Sequence, residues 1–254
     1  MITFFRRIRE KFIGEGNVSR YVLYAIGEIL LVVIGILIAL QVNNWNESNK
    51  QKAELANFLT KKLENLESDR QQLQQLYDFR SEVSEKSTQL LDGGLDNASE
   101  DQIMDVFMNI VFERRFISKI DVSENQVVIN YYQMLTGTPI KDLENEYLNG
   151  IGTYTFDEQR LNQFSEDIEI DLWRLGFFSE NRIRLRSMQN RLSGSGTDVF
   201  IPPLVLNDQN GKKSMNAMIH RHESGNMSLS LQISELLRMN RELSDAIENY
   251  LETS

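Results

Sequence analysis

His220 and His222 are the two histidines of the chain, and their side chains are the ones best suited to metal binding. Positions i and i+2 share a face of an extended strand, and Glu223 adjoins the pair. Two imidazoles and a carboxylate from elsewhere form a ligand set that zinc accepts. No third ligand is identifiable in the sequence. We therefore interpret both as solvent-exposed histidines of a turn-rich segment and predict no metal and no cofactor.

Other residues of catalytic type lack the patterns that make them reactive. Ser195 lies in Gly194-Ser195-Gly196, which lacks the five-residue nucleophile elbow and is typical of a linker. The sequence has no phosphate-binding glycine loop. Because it has no cysteine, disulfides, thiolate metal sites and a cysteine nucleophile are excluded. Four carboxylates at helical spacing predict a solvated helix face: Glu166, Asp167, Glu169 and Asp171. We expect no enzymatic activity.

Aromatic residues recur at helical spacing in the second half of the chain. They are Tyr131, Tyr132, Tyr147, Tyr154, Phe164 and Trp173. Such a stripe forms either the core of a helical domain or the wall of a ligand pocket between helices. The spacing favours the core, and the pocket stays open as an alternative.

The segment 21–42 is the longest apolar stretch, and Glu28 is its one charged residue. Its 22 residues cover about 33 Å as a helix, which is enough to cross the hydrocarbon core of a bilayer. A cleaved signal peptide is the competing interpretation. The run is longer than the usual apolar region of a signal peptide, and Leu37 occupies the position two before Ala39 where a cleavage site requires a small residue. We predict an uncleaved transmembrane helix.

Basic residues are concentrated before this helix. Five precede it, namely Arg6, Arg7, Arg9, Lys11 and Arg20, whereas Lys50 and Lys52 are the basic residues soon after it. The positive-inside rule then predicts an inner-membrane protein with a cytoplasmic N-terminus and a periplasmic C-terminal part. Residues 1–20 form a basic amphipathic segment for which we predict contact with anionic lipid through Arg6, Arg7, Arg9 and Lys11. Trp45 lies where an interfacial aromatic anchor is expected.

Glu28, Gly35 and Ala39 share one face of the predicted transmembrane helix. The Gly35-x-x-x-Ala39 spacing permits close helix approach, and a carboxyl group facing lipid is costly. We favour a seam with a second copy or another membrane protein. Glu28 reaching toward the inner headgroups and a proton- or ion-conducting role are the alternatives.

The N-terminal region resembles an uncharacterised Bacteroidota family of N-terminally anchored single-pass membrane proteins. The resemblance covers Phe4 to Glu47 and rests on FFRRIR and on YAIGEILLVVIGILIALQVNNWNE. It implies an N-terminal anchor and a helical extracytoplasmic domain, and it supplies no activity or catalytic residue. Its Gly-Glu pair corresponds to Gly27-Glu28, and its Asn-Asn-Trp-Asn run corresponds to residues 43–46.

Beyond the membrane, helical periodicity dominates. Glycine and proline are absent from Ile36 to Asp92, and leucines recur there every three or four residues, which predicts a long helix ending at Gly93-Gly94. Ser99 with Gln102 forms a capping box. We expect a mainly α protein, in which the transmembrane helix continues into an antiparallel helical bundle over residues 43–254.

One segment departs from this pattern. Residues 198–225 contain a Pro-Pro pair and an Asn-Gly turn between apolar runs, which predicts a small β-hairpin or loop insertion. A last helix is predicted from Ser228 to Leu251.

The charge of the long C-terminal part excludes one class of partner. Residues after Val42 carry 22 basic and 34 acidic side chains, a formal charge of −12, which disfavours nucleic acid. We expect a non-enzymatic membrane-anchored scaffold whose partners are the bilayer and a homo-oligomer or another membrane protein. A ligand-sensing co-receptor that binds a small molecule or peptide between helices is the alternative.

Overall fold

The computed structural model describes residues 18–111, 114–120, 126–174, 176, 182–183, 186 and 209–253. All five elements in these residues are α-helices. They are α1 (Val18–Gly93), α2 (Glu100–Val111), α3 (Gln126–Met134), α4 (Ile140–Arg174) and α5 (Gln209–Thr253). The prediction of a mainly α protein is confirmed. The predicted basic segment 1–20, with Arg6, Arg7, Arg9 and Lys11, lies almost entirely outside the described residues.

The chain divides into two compact units, Met1–Phe58 and Leu59–Ser254. The first contains the apolar stretch of α1, whose large hydrophobic side chains from Val22 to Val42 are exposed over about half or more of their surface. Among the described residues, α1 is the helix long and apolar enough to span a membrane. This supports a membrane anchor at the N-terminal end of the chain.

The second unit has its core where α1 beyond Leu59, α4 and α5 meet. Apolar side chains recur at helical spacing on each helix, which gives each one a face to bury. Fully buried members include Leu59, Leu66, Leu73, Tyr147, Tyr154, Leu161, Ile233, Leu243 and Ile247. Helix α2 adds Met104 and Phe107 to a cluster with Val83, Leu172 and Met218.

Side-chain contacts give the direction of each helix. Lys62 contacts Glu144 and Arg80 contacts Glu158, so α1 and α4 run in the same direction. Arg80 also bonds Asn226 while the Leu66 carbonyl accepts a bond from Asn240, so α5 runs opposite to α1. The predicted antiparallel order therefore does not hold for α1 and α4.

The connection from α1 to α4 explains the parallel pair. After α2, residues 114–120 pass along α1 in the reverse direction, because the Arg114 carbonyl contacts Arg80 and the Lys119 amide contacts Asp69. The chain thereby returns to the beginning of this unit before α4 starts. In helical proteins, a short connection of about four residues favours an antiparallel pair of helices, whereas a long crossover connection permits a parallel pair.

Helix ends follow their local sequence signals. The predicted capping box is confirmed, because the Ser99 amide donates to the Gln102 side chain and the Gln102 amide donates to the Ser99 hydroxyl. Gly94 and Gly176 adopt φ of 75° and 80° just beyond α1 and α4. A left-handed residue after a helix favours glycine, which explains both stops.

The hairpin prediction is wrong for residues 209–225, which belong to α5. Met215, Met218 and Ile219 are fully buried, and their i, i+3, i+4 spacing is that of a helix face. The Asn-Gly pair signals a hairpin turn when strands flank it, and here a helix begins at Gln209. Residues 198–208 of the predicted insertion lie outside the described residues.

Candidate functional site

Among the described residues, the core of the second unit contains twelve polar or charged side chains. Those exposed over less than a tenth of their surface are Lys62, Asp69, Arg80, Ser87, Glu144, Glu158, Asn162, Ser165, His222, Asn226, Ser230 and Asn240. A buried charge without a partner is very costly, so each ionised group requires a counter-charge or several hydrogen bonds. Three centres on α1 meet this requirement.

Arg80 forms the most extensive centre. Its Nε donates to the Tyr154 hydroxyl at 3.0 Å, and its two terminal nitrogens donate to Glu158 Oε1 at 2.5 Å and Asn226 Oδ1 at 2.9 Å. A further bond at 3.3 Å reaches the Arg114 carbonyl. The planar guanidinium has five N–H donors in a fixed fork, and this arrangement distributes them over four partners.

Glu158 joins this centre to the crossover segment. Its second oxygen accepts the backbone N–H of Phe116 at 3.1 Å, and the Phe116 ring packs edge-on against Tyr154 at 6.1 Å. The Tyr154 hydroxyl donates to Glu158 Oε1 at 2.8 Å. Burial raises the pKa of Tyr154 well above its ordinary value, so this phenol stays protonated as a donor.

A chain of hydrogen bonds continues from Arg80 through α5 to α4. Because Arg80 only donates, Asn226 accepts with Oδ1 and presents its Nδ2 to His222 Nδ1 at 3.4 Å. His222 Nδ1 is then an acceptor, and Nε2–H donates to the Ser165 hydroxyl. Ser165 in turn donates to the Leu161 carbonyl at 3.0 Å. The direction of the chain assigns the neutral Nε2–H tautomer to His222.

This direction argues against a reactive serine. A general base must present a free nitrogen lone pair to the serine proton. Here the Ser165 proton is directed at Leu161, and the His222 nitrogen that faces Ser165 is the protonated one. Burial, followed by the charges of Arg80 and Arg221, lowers the pKa of His222 to about 3. The trio of Ser165, His222 and Asn226 is therefore a structural link between α4 and α5.

Asp69 forms the second centre. Its carboxylate accepts the Ser118 hydroxyl and the Lys119 amide, both at 2.6 Å, and the Tyr147 hydroxyl at 3.2 Å. Asn240 donates to Tyr147 at 3.3 Å. Burial raises the pKa of Tyr147 well above its ordinary value, and the charge of Asp69 raises it further. This centre fixes the crossover segment and α4 to the same point of α1.

Lys62 forms the third centre, at the beginning of the unit. It contacts Glu144 and donates to the Tyr132 hydroxyl at 3.0 Å, and Tyr132 donates to the second oxygen of Glu144 at 2.5 Å. Lys62 and Glu144 are almost completely buried. Tyr132 and Glu144 also line a cavity of about 550 Å³ formed by α3, the turn after it and the first two turns of α4.

The candidate metal pair does not converge, and the interpretation of both histidines as solvent-exposed is wrong for His222, which is 5% exposed. Because residues 209–253 are helical, His220 and His222 point in directions about 200° apart, whereas the prediction required a strand. His222 is buried against Ser165, and His220 is exposed. Within the described residues, no group of three metal-ligating side chains comes together.

The predicted membrane residues lie on α1 with their side chains open. Glu28, Gly35 and Ala39 are exposed, as is Trp45 at 68%. A Cβ built on Gly35 meets no atom within 4 Å. Their roles in association and at the interface stay predictions.

The aromatic stripe separates into two groups. Tyr147 and Tyr154 belong to the core, whereas Tyr132 lines the cavity and Trp173 is 57% exposed. The core interpretation therefore holds for the first pair, and Tyr132 fits the pocket alternative.

The described residues define a class: a helical protein with a helix long and apolar enough to span a membrane and an ionic network in the core of its second unit. Residues 28–130 match the model of a family of unknown function (DUF6090). The match includes Lys62, Asp69 and Arg80 and stops before α4. No curated protein and no solved structure matches the chain. The resemblance to an uncharacterised family agrees with this match, while its Bacteroidota source and its motif stay predictions.

Proposed function

We propose that this protein is a non-enzymatic scaffold, anchored in the inner membrane with its helical body in the periplasm. It self-associates, or joins an envelope complex, through one face of its transmembrane helix.

The exposed part of α1 carries this proposal: residues 26–54 are exposed all round, and helical spacing places a carboxyl group and two small residues on one face. Glu28, Gly35 and Ala39 lie on that face, and none of them has a partner from elsewhere in the described chain. A carboxyl group in hydrocarbon is stable when a neighbouring helix supplies a hydrogen-bond partner, and small residues allow that helix to approach. Association satisfies both requirements at once.

The core of the second unit supports the non-enzymatic part of the proposal. The side chains that resemble a catalytic set, Ser165, His222 and Asn226, are buried and hydrogen-bonded to one another. Each of the three ionic centres ties two or more chain segments together. The hydrogen bonds and ion pairs of these side chains hold the helices in their packed positions.

Cross-linking tests the association face, because the natural chain has no cysteine and a single introduced thiol reports on one position. We expect Ala39→Cys in native membranes to form a disulfide-linked dimer on mild oxidation. Leu37→Cys is the matched control, since it lies two residues away and faces about 200° from position 39. Equal cross-linking at both positions, or none at position 39, would contradict the proposed face.

Thiol labelling tests the orientation. A membrane-impermeant maleimide added to spheroplasts should label Thr155→Cys, on the exposed surface of α4, and should leave Ile2→Cys unlabelled until the membrane is opened. The reverse pattern would place the helical body in the cytoplasm.

The cavity beside Tyr132 favours a second candidate function, a ligand-sensing co-receptor. Its volume of about 550 Å³ is in the range of small-molecule sites, and its lining mixes apolar and polar side chains. A sensor requires a partner to carry its signal, so copurification of a second membrane protein only in the presence of ligand would favour this candidate over the scaffold.

A further inference from the structure

We propose that the cavity between α3 and the start of α4 binds a small amphipathic ammonium compound. The ammonium group is received by carboxylates, and the apolar part lies against aliphatic side chains. This inference supplies a ligand class for the second candidate function, and it does not depend on self-association of the transmembrane helix.

At the floor of the cavity, Glu144 has unused hydrogen-bond acceptor positions, whereas the Tyr132 hydroxyl already donates its proton. The Tyr132 hydroxyl donates its proton to Glu144 and receives Lys62. The Lys62 ammonium is directed at these same two groups. Glu144 accepts one bond at each oxygen, and a carboxylate has about four acceptor positions. A ligand group that reaches Glu144 must therefore be a donor.

The other side chains that line the cavity further define the ligand that would fit it. Two carboxylates line the cavity, Glu144 and Asp142, together with the basic Lys141, and Glu144 also contacts Lys62. Lys141 lies over the Tyr132 ring at 5.6 Å, with Lys62 over the same ring at 5.2 Å. Four aliphatic side chains also line the cavity: Val128, Ile129, Leu135 and Leu148. A cationic donor joined to a short apolar chain matches both parts of this surface.

Glu144 gives the cavity a buried polar group whose position is fixed before any ligand binds. It is 3% exposed, and α4 and the Lys62 contact fix its position. Orienting a buried carboxylate before a ligand arrives reduces the entropy lost on binding. Its remaining acceptor positions are the polar feature by which the cavity selects a ligand.

Calorimetric titration of the full chain in mild detergent tests the proposal with three probes of equal length: n-pentylammonium, n-pentanol and n-pentanoate. Heats from detergent alone are subtracted. We expect pentylammonium to bind at least ten times more tightly than pentanoate, with pentanol between them. Binding of pentanoate as tight as pentylammonium, or no binding of pentylammonium, would overturn the proposal.

A matched pair of variants locates the binding. Ile129→Trp adds bulk at the cavity wall, where the side chain is 39% exposed, and should weaken pentylammonium binding at least tenfold. Ile117→Trp makes the same change at a 66% exposed position outside the cavity and should leave binding unchanged. Equal effects of the two variants would place the binding elsewhere.

A surface variant tests the charge without disturbing the core. Asp142→Asn should weaken pentylammonium binding about threefold, as expected for loss of one exposed charge interaction, and should leave pentanol unaffected. Circular dichroism confirms that each variant keeps its helix content. Failure of all these effects while Ala39→Cys still cross-links would refute the ligand site and leave the scaffold proposal standing.

Discussion

Acidification should destabilise this protein through a single buried side chain, His222. Its pKa is lowered to about 3 in the folded chain, against about 6.5 when unfolded. Between these two pH values the His222 side chain is protonated in the unfolded state and neutral in the folded state. The stabilisation is therefore complete above pH 6.5 and is lost as pH falls toward 3.

The direction of the hydrogen-bond chain gives the physical reason. A proton added at Nδ1 of His222 would face the Nδ2–H₂ of Asn226, two donors in contact. Asn226 cannot reverse its amide without turning Nδ2 toward the guanidinium of Arg80. Protonation therefore costs one hydrogen bond, between Asn226 and either His222 or Arg80, as well as desolvation of the charge.

The magnitude follows from the two pKa values. Lowering the pH from 7.5 to 5.0 should reduce the free energy of unfolding by about 2 kcal/mol through His222 alone, since each unit of pH below about 6 contributes about 1.4 kcal/mol. This is a large fraction of the stability of an ordinary domain.

Chemical denaturation of the full chain in detergent, followed by circular dichroism at both pH values, measures this loss. His222→Gln retains a donor toward Ser165 but cannot take up a proton, so its loss should be smaller than that of the natural chain by about 2 kcal/mol. His220→Gln removes the exposed histidine and should behave like the natural chain. An identical pH dependence in all three proteins would refute the assignment of a neutral, buried imidazole.

Three further results are expected. Arg80→Met should lower the free energy of unfolding by about 3–5 kcal/mol, because it leaves Glu158 buried without its counter-charge, and denaturation at pH 7.5 measures the loss. Gly225→Ala should destabilise by about 1–3 kcal/mol, since a Cβ there would lie 2.7 Å from the buried Leu161 side chain. Gly152→Ala, with no atom within 4 Å of the new Cβ, should stabilise by up to about 1 kcal/mol through helix propensity, and equal effects of the two alanines would contradict the packing argument.

The sequence predicts most of the helices because their signals are local. Apolar spacing, the Ser99 capping box and the glycines after α1 and α4 act over a few residues, and each signal appears in the structure where the sequence has it. Gly150 and Gly152 do not interrupt α4, although glycine lowers helix propensity. Gly150 lies close to Leu236, so tertiary packing favours a small residue there.

The ionic core was only partly predictable. Arg80 and Ser87 continue the seven-residue series of Leu59, Leu66 and Leu73. Their spacing therefore predicts that they lie on the buried face of the helix, where they interrupt a row of apolar side chains. Lys62 and Asp69 belong to a second seven-residue series with Leu76, Val83 and Leu90. Their charge favours a surface position, and the partners that make burial possible lie 49 to 82 residues away in sequence. Periodicity alone does not identify such partners.

The parallel arrangement of α1 and α4 was not predictable for a related reason. It depends on residues 114–120, which bond Asp69 and Glu158 through two backbone amides. Backbone groups carry no sequence signature. The hairpin prediction failed for a different reason: the Asn-Gly pair favours a turn locally, whereas burial of Met215 and Ile219 on one face favours a helix.

Native mass spectrometry of the full chain, extracted in mild detergent, tests the central claim most directly. The account predicts a species heavier than the 29.5 kDa monomer, which Glu28→Leu converts largely to monomer and Glu28→Gln, which keeps a hydrogen-bonding group, does not. A natural chain that is monomeric, or an assembly unchanged by Glu28→Leu, would contradict it.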